Sequence, residues 1–210
     1  MRPFSGMVCF FIALSLSSMG HAEDSMTSLF KPCAYCHGSE AQGNPVTAAP
    51  ALAGQDAAYL ERQLWHFKQG VRGADSADVH GMQMAAMAQT LSDDNIPAMA
   101  KYLSAMPAPT VTAAADADLR NGSNYYHASC GACHGAQAQG NPALNAPALN
   151  TLDQSYLVRQ MANFQKGIRG SHPDDRYGRQ MKMMSNTLPD EKTLLDVIAF
   201  IHRKGSVPQP

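Results

Sequence analysis

The chain has 210 residues, 45% of them hydrophobic and 16% charged, a length that allows one or two domains. Sixteen Lys and Arg stand against seventeen Asp and Glu, a formal charge of −1, so there is no cationic excess to hold a phosphate backbone. Nucleic-acid binding is not expected on that ground, and the absence of long like-charge blocks speaks against a disordered tail or polybasic arm.

In chain order, residues 1–22 read as an export leader. Arg2 gives a basic start, residues 8–16 (VCFFIALSL) form an apolar run too short to span a bilayer, and Gly20-His21-Ala22 ends in small residues suited to cleavage after Ala22. Cys9 lies inside this run and leaves with it. No later stretch of about 18 apolar residues follows, so no membrane span is expected.

Four cysteines then remain, a number that in an exported chain ordinarily suggests two disulfides. Their placement points elsewhere. They occur as Cys33-Ala-Tyr-Cys36-His37 and Cys130-Gly-Ala-Cys133-His134, two copies of the C-x-x-C-H pattern of c-type haem attachment. In that chemistry two thiols add to the two haem vinyl groups and the adjacent histidine becomes the proximal iron ligand. A single copy would compete with a redox C-x-x-C or half a zinc site; two copies with no cysteine left over make both alternatives poor.

The two motifs are 97 residues apart, and residues 33–94 align with 130–191 without a gap, with 30 identities in 62 positions. The chain is a tandem duplication. Shared segments are QGNP (42–45, 139–142), APAL (49–52, 146–149), Tyr-Leu-x-Arg-Gln (59–63, 156–160), Gly-x-Arg-Gly (70–73, 167–170) and Gly-x-Gln-Met-x-x-Met (81–87, 178–184). Leu60, Leu64 and Phe67, with Leu157, Met161 and Phe164 opposite, recur at i, i+4, i+7 and predict a middle helix ending at Gly70 or Gly167. A terminal helix is expected after residues 91–94 and 188–191, starting somewhat late in the first copy because of Pro97. No segment alternates as a strand would. Residues 106–118, rich in Pro, Ala and Thr, read as an extended connection. The expected organisation is a leader at 1–22, one unit at 23–106, a linker at 107–113 and a second unit at 114–210. Units so small bury a low fraction of their surface, a deficit that a covalently held porphyrin would fill.

The sixth iron ligand decides whether iron carries charge or binds substrate. No histidine outside the motifs is matched between copies: His66 faces Asn163, His80 faces Tyr177 and His172 faces Asp75. Two methionines are matched, Met84 with Met181 and Met87 with Met184. Methionine usually fills core gaps, but each unit needs one thioether and only these pairs recur. Spacing by itself does not separate the two pairs.

The double C-x-x-C-H, the LAGQ at 52–55, the Tyr-Leu-x-Arg-Gln helix and the methionine seven residues before Leu-Ser-Asp resemble the dihaem cytochrome c4 family over essentially the whole chain after the leader. The resemblance implies an all-α fold of two tandem class I cytochrome c domains, each wrapped around one covalently attached haem c. It implies attachment at Cys33, Cys36, Cys130 and Cys133, iron ligation by His37 and His134, and axial ligation by Met84 and Met181, with Met87 and Met184 packing nearby. It also implies a periplasmic electron carrier, not an enzyme, taking electrons from a quinol-oxidising complex or a small cytochrome and delivering them towards a terminal oxidase. Peripheral association with the membrane is compatible with that role. The alternative is the dihaem subunit of a periplasmic dehydrogenase, similar to flavocytochrome sulfide dehydrogenase. An oxygen- or peroxide-reactive enzyme is a third class, against which the matched methionines weigh. In similar cytochromes a proline carbonyl holds the proximal imidazole, here Pro50 and Pro147, the alternative being a rigid turn. Arg72 and Arg169 are candidate partners of haem propionates or else solvated surface residues. Tyr59 and Tyr156 are read chiefly as helix core, and Trp65, His66 and His202 as structural. The second copy departs at residues 150–152 (NTL for AGQ) and at Pro189 in place of Ser92.

Overall fold

A computed structural model describes residues 19–205; the expected leader up to residue 18 lies outside them. Nine α-helices form among the described residues: α1 Met19–His37, α2 Ala57–Lys68, α3 Val79–Gln89, α4 Asn95–Ser104, α5 Leu119–Tyr125, α6 Gly131–His134, α7 Gln154–Gln165, α8 Arg176–Met184 and α9 Glu191–Gly205. Sheet structure among them is limited to two isolated bridges, Asn44 with Ala49 and Asn141 with Ala146.

The duplication is visible element by element. α2 and α7 are capped by Asp56 and Asp153, which accept from the amides of Tyr59 and Tyr156. α3 and α8 are capped by Asp78 and Asp175, which accept from Gly81 and Gly178. A Cβ on Gly81 or Gly178 would meet the capping carboxylate at 2.0 and 1.9 Å, and a Cβ on Gly73 or Gly170, both at positive φ, would meet the carbonyl oxygen of Gly81 or Gly178 at 2.2 and 2.3 Å. The shared Gly-x-Arg-Gly is thus a turn pressed against the helix that follows it.

α4 starts at Asn95, earlier than Pro97 suggested. A proline in the first turn is harmless, because the first four amides of a helix have no partner within it. Each unit has its own core. Phe30, Leu60, Met99 and Leu103 pack in the first, and Tyr126, Leu194, Val197, Ile198 and Ile201 in the second. α5 crosses α9 where Gly122 lies under the Asp196 carbonyl and the Phe200 side chain.

The helix before the second motif is not a copy of α1. It is broken at Tyr126–Cys130 by one π-helical turn, which takes up one extra residue. The buried ring therefore sits four residues before Cys130 as Tyr126, whereas Phe30 sits three before Cys33. The π turn keeps an aromatic side chain in the same core position despite the insertion.

Candidate functional site

Each motif histidine ends a helix, and the loop after it folds back to hold the ring. The His37 carbonyl accepts from Gly43 and that of His134 from Gly140. Asn44 and Ala49 then exchange both amide bonds, as do Asn141 and Ala146. This small closed loop, built from QGNP and APAL, delivers the Pro50 carbonyl to His37 Nδ1 at 2.8 Å and the Pro147 carbonyl to His134 Nδ1 at 2.9 Å. Both rings are buried and donate Nδ1–H, which fixes the tautomer and leaves each Nε2 with a lone pair for a metal. Burial holds both imidazoles below the usual histidine range, although the proline carbonyls pull the other way.

On the opposite side of the first site α3 brings Met84 Sδ to 3.5 Å from His37 Nε2. Met181 is half-buried on the matched turn of α8. Met87 and Met184 are each 39% exposed, more open than Met84 and Met181 one turn before them. In the first half the contact with His37 singles out Met84.

The first thiol of each motif does not suit redox exchange. Burial pushes Cys33 upward and Cys130 up to about 11, whereas reactive C-x-x-C thiols are shifted down. The described residues also offer no cluster of three or more His, Cys, Asp or Glu that would hold a zinc ion. Each site provides one histidine backed by a carbonyl, one thiol directly before it and another a turn earlier, and in the first site Met84 adds a thioether.

Between the two sites lies a polar seam that the sequence reading missed. Arg72 donates to Gln63 of its own half at 2.7 Å and to Gln160 and Tyr156 of the other at 3.0 and 3.2 Å. Arg169 mirrors it, donating to Gln160 at 2.8 Å and to Gln63 at 3.0 Å. Each arginine stacks on the phenylalanine that ends its own middle helix, Phe67 at 4.5 Å and Phe164 at 4.6 Å. Arg62 reaches across to Asn145, and Arg159 to the Ala48 carbonyl at the matched loop position. Asn163 meets Asp78, the cap of α3, and His66 lies 3.8 Å from Asp175, the cap of α8. These contacts are reciprocal, so the two halves face one another about an approximate twofold axis. Neither Arg72 nor Arg169 is the solvated residue considered as an alternative. The signal was present in the repeated Tyr-Leu-x-Arg-Gln and Gly-x-Arg-Gly, whose polar members pair within one half and also reach into the other.

The Nε–H groups of Arg62, Arg72, Arg159 and Arg169 are buried on this seam without an acceptor. Four such donors call for carboxylates or another anion, since an unmet buried charge-bearing donor is costly. A haem on each half brings two propionates, so the residues present fit the group.

The cytochrome c family model matches residues 27–107 and 119–204. The chain is 31% identical to cytochrome c4 of Thiocapsa roseopersicina over 68% of this chain and 73% of that one. It is 33% identical to the thiosulfate dehydrogenase electron acceptor of Stutzerimonas stutzeri, over 73% and 72%. The chain belongs to the dihaem cytochrome c4 family. The crystal structure of reduced cytochrome c4 from Pseudomonas stutzeri superposes with a TM-score of 0.70 at 23% identity, covering 86% of this chain and 97% of that one, a likeness of fold. As a member of this family the chain has the expected all-α fold of two tandem cytochrome c domains, and it carries two covalently bound haem c groups. It is an electron carrier of a redox chain and not an enzyme.

Proposed function

We propose that this cytochrome is exported to the periplasm with its leader, residues 1–22, removed, and that it delivers electrons towards a terminal oxidase. The units are residues 23–106 and 114–210, joined by a linker at 107–113. In the first, Cys33 and Cys36 form the thioethers and His37 and Met84 are the axial ligands; in the second, Cys130, Cys133, His134 and Met181 take these roles. The haem iron supplies reversible one-electron chemistry when bound. The protein supplies the rest. The Pro50 and Pro147 carbonyls keep the imidazoles oriented, and the arginines of the seam offset the carboxylate charge brought to the domain junction. The convergence of His37 Nε2 and Met84 Sδ carries this reading, because a thioether facing the proximal nitrogen closes the position a substrate would need. The donor is a quinol-oxidising complex or a small cytochrome. Among the described residues no helix is long and apolar enough to cross a membrane.

A second reading, electron acceptor of a periplasmic dehydrogenase, is favoured by the relative named for accepting electrons from thiosulfate dehydrogenase. Redox titration of the purified holoprotein tests the carrier assignment. Two one-electron steps with low-spin spectra at every stage are expected; high-spin iron in the resting protein contradicts it. Affinity capture from the native periplasm discriminates the partners, an oxidase supporting the first reading and a dehydrogenase the second.

A further inference from the structure

The duplication offers an internal comparison that the carrier function does not use. α3 and α8 bear the paired methionines, and each turns one stripe outward. On α3 the stripe is Val79, Met82, Gln83 and Ala86; the matched positions on α8 are Arg176, Arg179, Gln180 and Met183. All eight side chains are exposed, Val79 at 58%, Met82 at 46% and Met183 at 68%. The same surface beside the same type of site is therefore uncharged in the first half and cationic in the second. Lys182 adds a third charge to α8, held near its Ser171 neighbour, and the acids of the adjoining turn are exposed Asp174, 3.7 Å from His172, and the buried cap Asp175. The wider halves follow the same sense: residues 23–106 hold five Lys and Arg against nine Asp and Glu, and residues 107–210 hold ten against eight.

We propose that the α8 face of the second domain docks an acidic redox protein, with Arg176 and Arg179 steering it and Met183 as the apolar contact at its centre. The inference rests on the electron-carrier reading and assigns to one domain the partner chemistry that the other lacks. Steering needs no buried ion pair. Exposed complementary charge raises the encounter rate and orients the approach, and it is screened by salt. An anionic lipid surface is the poorer fit, because stable attachment by basic residues takes clusters of about four to eight Lys or Arg. α8 has three, with Asp174 beside them.

The test is stopped-flow electron transfer from reduced plant-type ferredoxin, a small acidic iron–sulfur protein, to the oxidised full-length holoprotein at low and high salt. The wild type should react rapidly at low salt and slow by about tenfold or more as salt rises. The double variant Arg176→Glu/Arg179→Glu should be slow at low salt and lose that dependence. Val79→Arg/Met82→Arg should add a second salt-sensitive route. Each variant is first shown to keep the wild-type visible spectrum and two-electron capacity, so a wrong ligation or carrier assignment is seen separately from a wrong docking face. Equal rates in wild type and the α8 charge reversal would overturn the proposal, as would loss of reactivity confined to the α3 variant. Sedimentation with phosphatidylserine vesicles through the α8 arginines, without faster ferredoxin transfer, would overturn it in favour of a lipid surface.

Discussion

At the scale of single residues, the histidines and the thioether opposite the first illustrate how position decides role. Met84 and Met87 have the same chemistry and the same match in the second half, yet one faces His37 and the other faces solvent. Met84→Ala should remove the far-red iron–thioether charge-transfer band of one haem, and Met87→Ala should leave it; the reverse result moves the ligand to Met87. Asp196 gives a stability prediction with a sign. Lys192, Asn121 and the Asp118 amide all bond to its carboxylate and hold it at about 2, below the unfolded value of about 3.9. A carboxyl depressed in the folded state binds protons more readily when unfolded. Its contribution is therefore complete above about pH 5 and is lost as pH falls through 4 to about 2 and below. Thermal melting of wild type and Asp196→Asn should differ at pH 6 and converge near pH 2; a constant gap between the curves would refute this account.

Among the elements, the crossing of α5 with α9 is the tightest. A Cβ on Gly122 would stand 2.1 Å from the Asp196 carbonyl oxygen, and backbone cannot swing aside as a side chain can. Gly122→Ala should destabilise the second domain by about 1–3 kcal/mol, the usual cost of overpacking, measured by denaturant unfolding. An unchanged midpoint would mean the helices separate at little cost. The π turn at Tyr126–Cys130 belongs to the same scale. Tyr126 keeps the buried ring position and adds a hydroxyl that donates to the Gly135 carbonyl, a bond that Phe30 has no atom to make.

For the whole molecule, the seam between the halves is where the duplicated sequences depart most usefully. Gln55 is buried and bonds the Ala148 carbonyl and amide and the Thr151 hydroxyl, while its match, Leu152, packs with Ala51 and Tyr156. One half therefore contributes a polar clamp and the other an apolar plug. Gln55→Ala would strand the Ala148 amide away from water, at about 1–3 kcal/mol. The expected outcome is weaker coupling between the domains, seen by calorimetry of the holoprotein as a single transition separating into two. One cooperative transition at the wild-type temperature would show that the arginine and glutamine network suffices alone.

Much of this protein was legible in its sequence for a physical reason: covalent haem attachment needs two thiols and a histidine at fixed local spacing, and a helix repeats its buried positions every three to four residues. Cys33 to His37, Cys130 to His134 and the middle helices all declare themselves within a few residues. The choice between Met84 and Met87 did not, because both lie within a turn of one another and only the packing of α3 decides which one reaches His37. Nor did the roles of Gln63, Arg72, Gln160 and Arg169. Each Arg–Gln pair forms within its own half, and its bonds to the other pair exist only when a second, similar half is set against it.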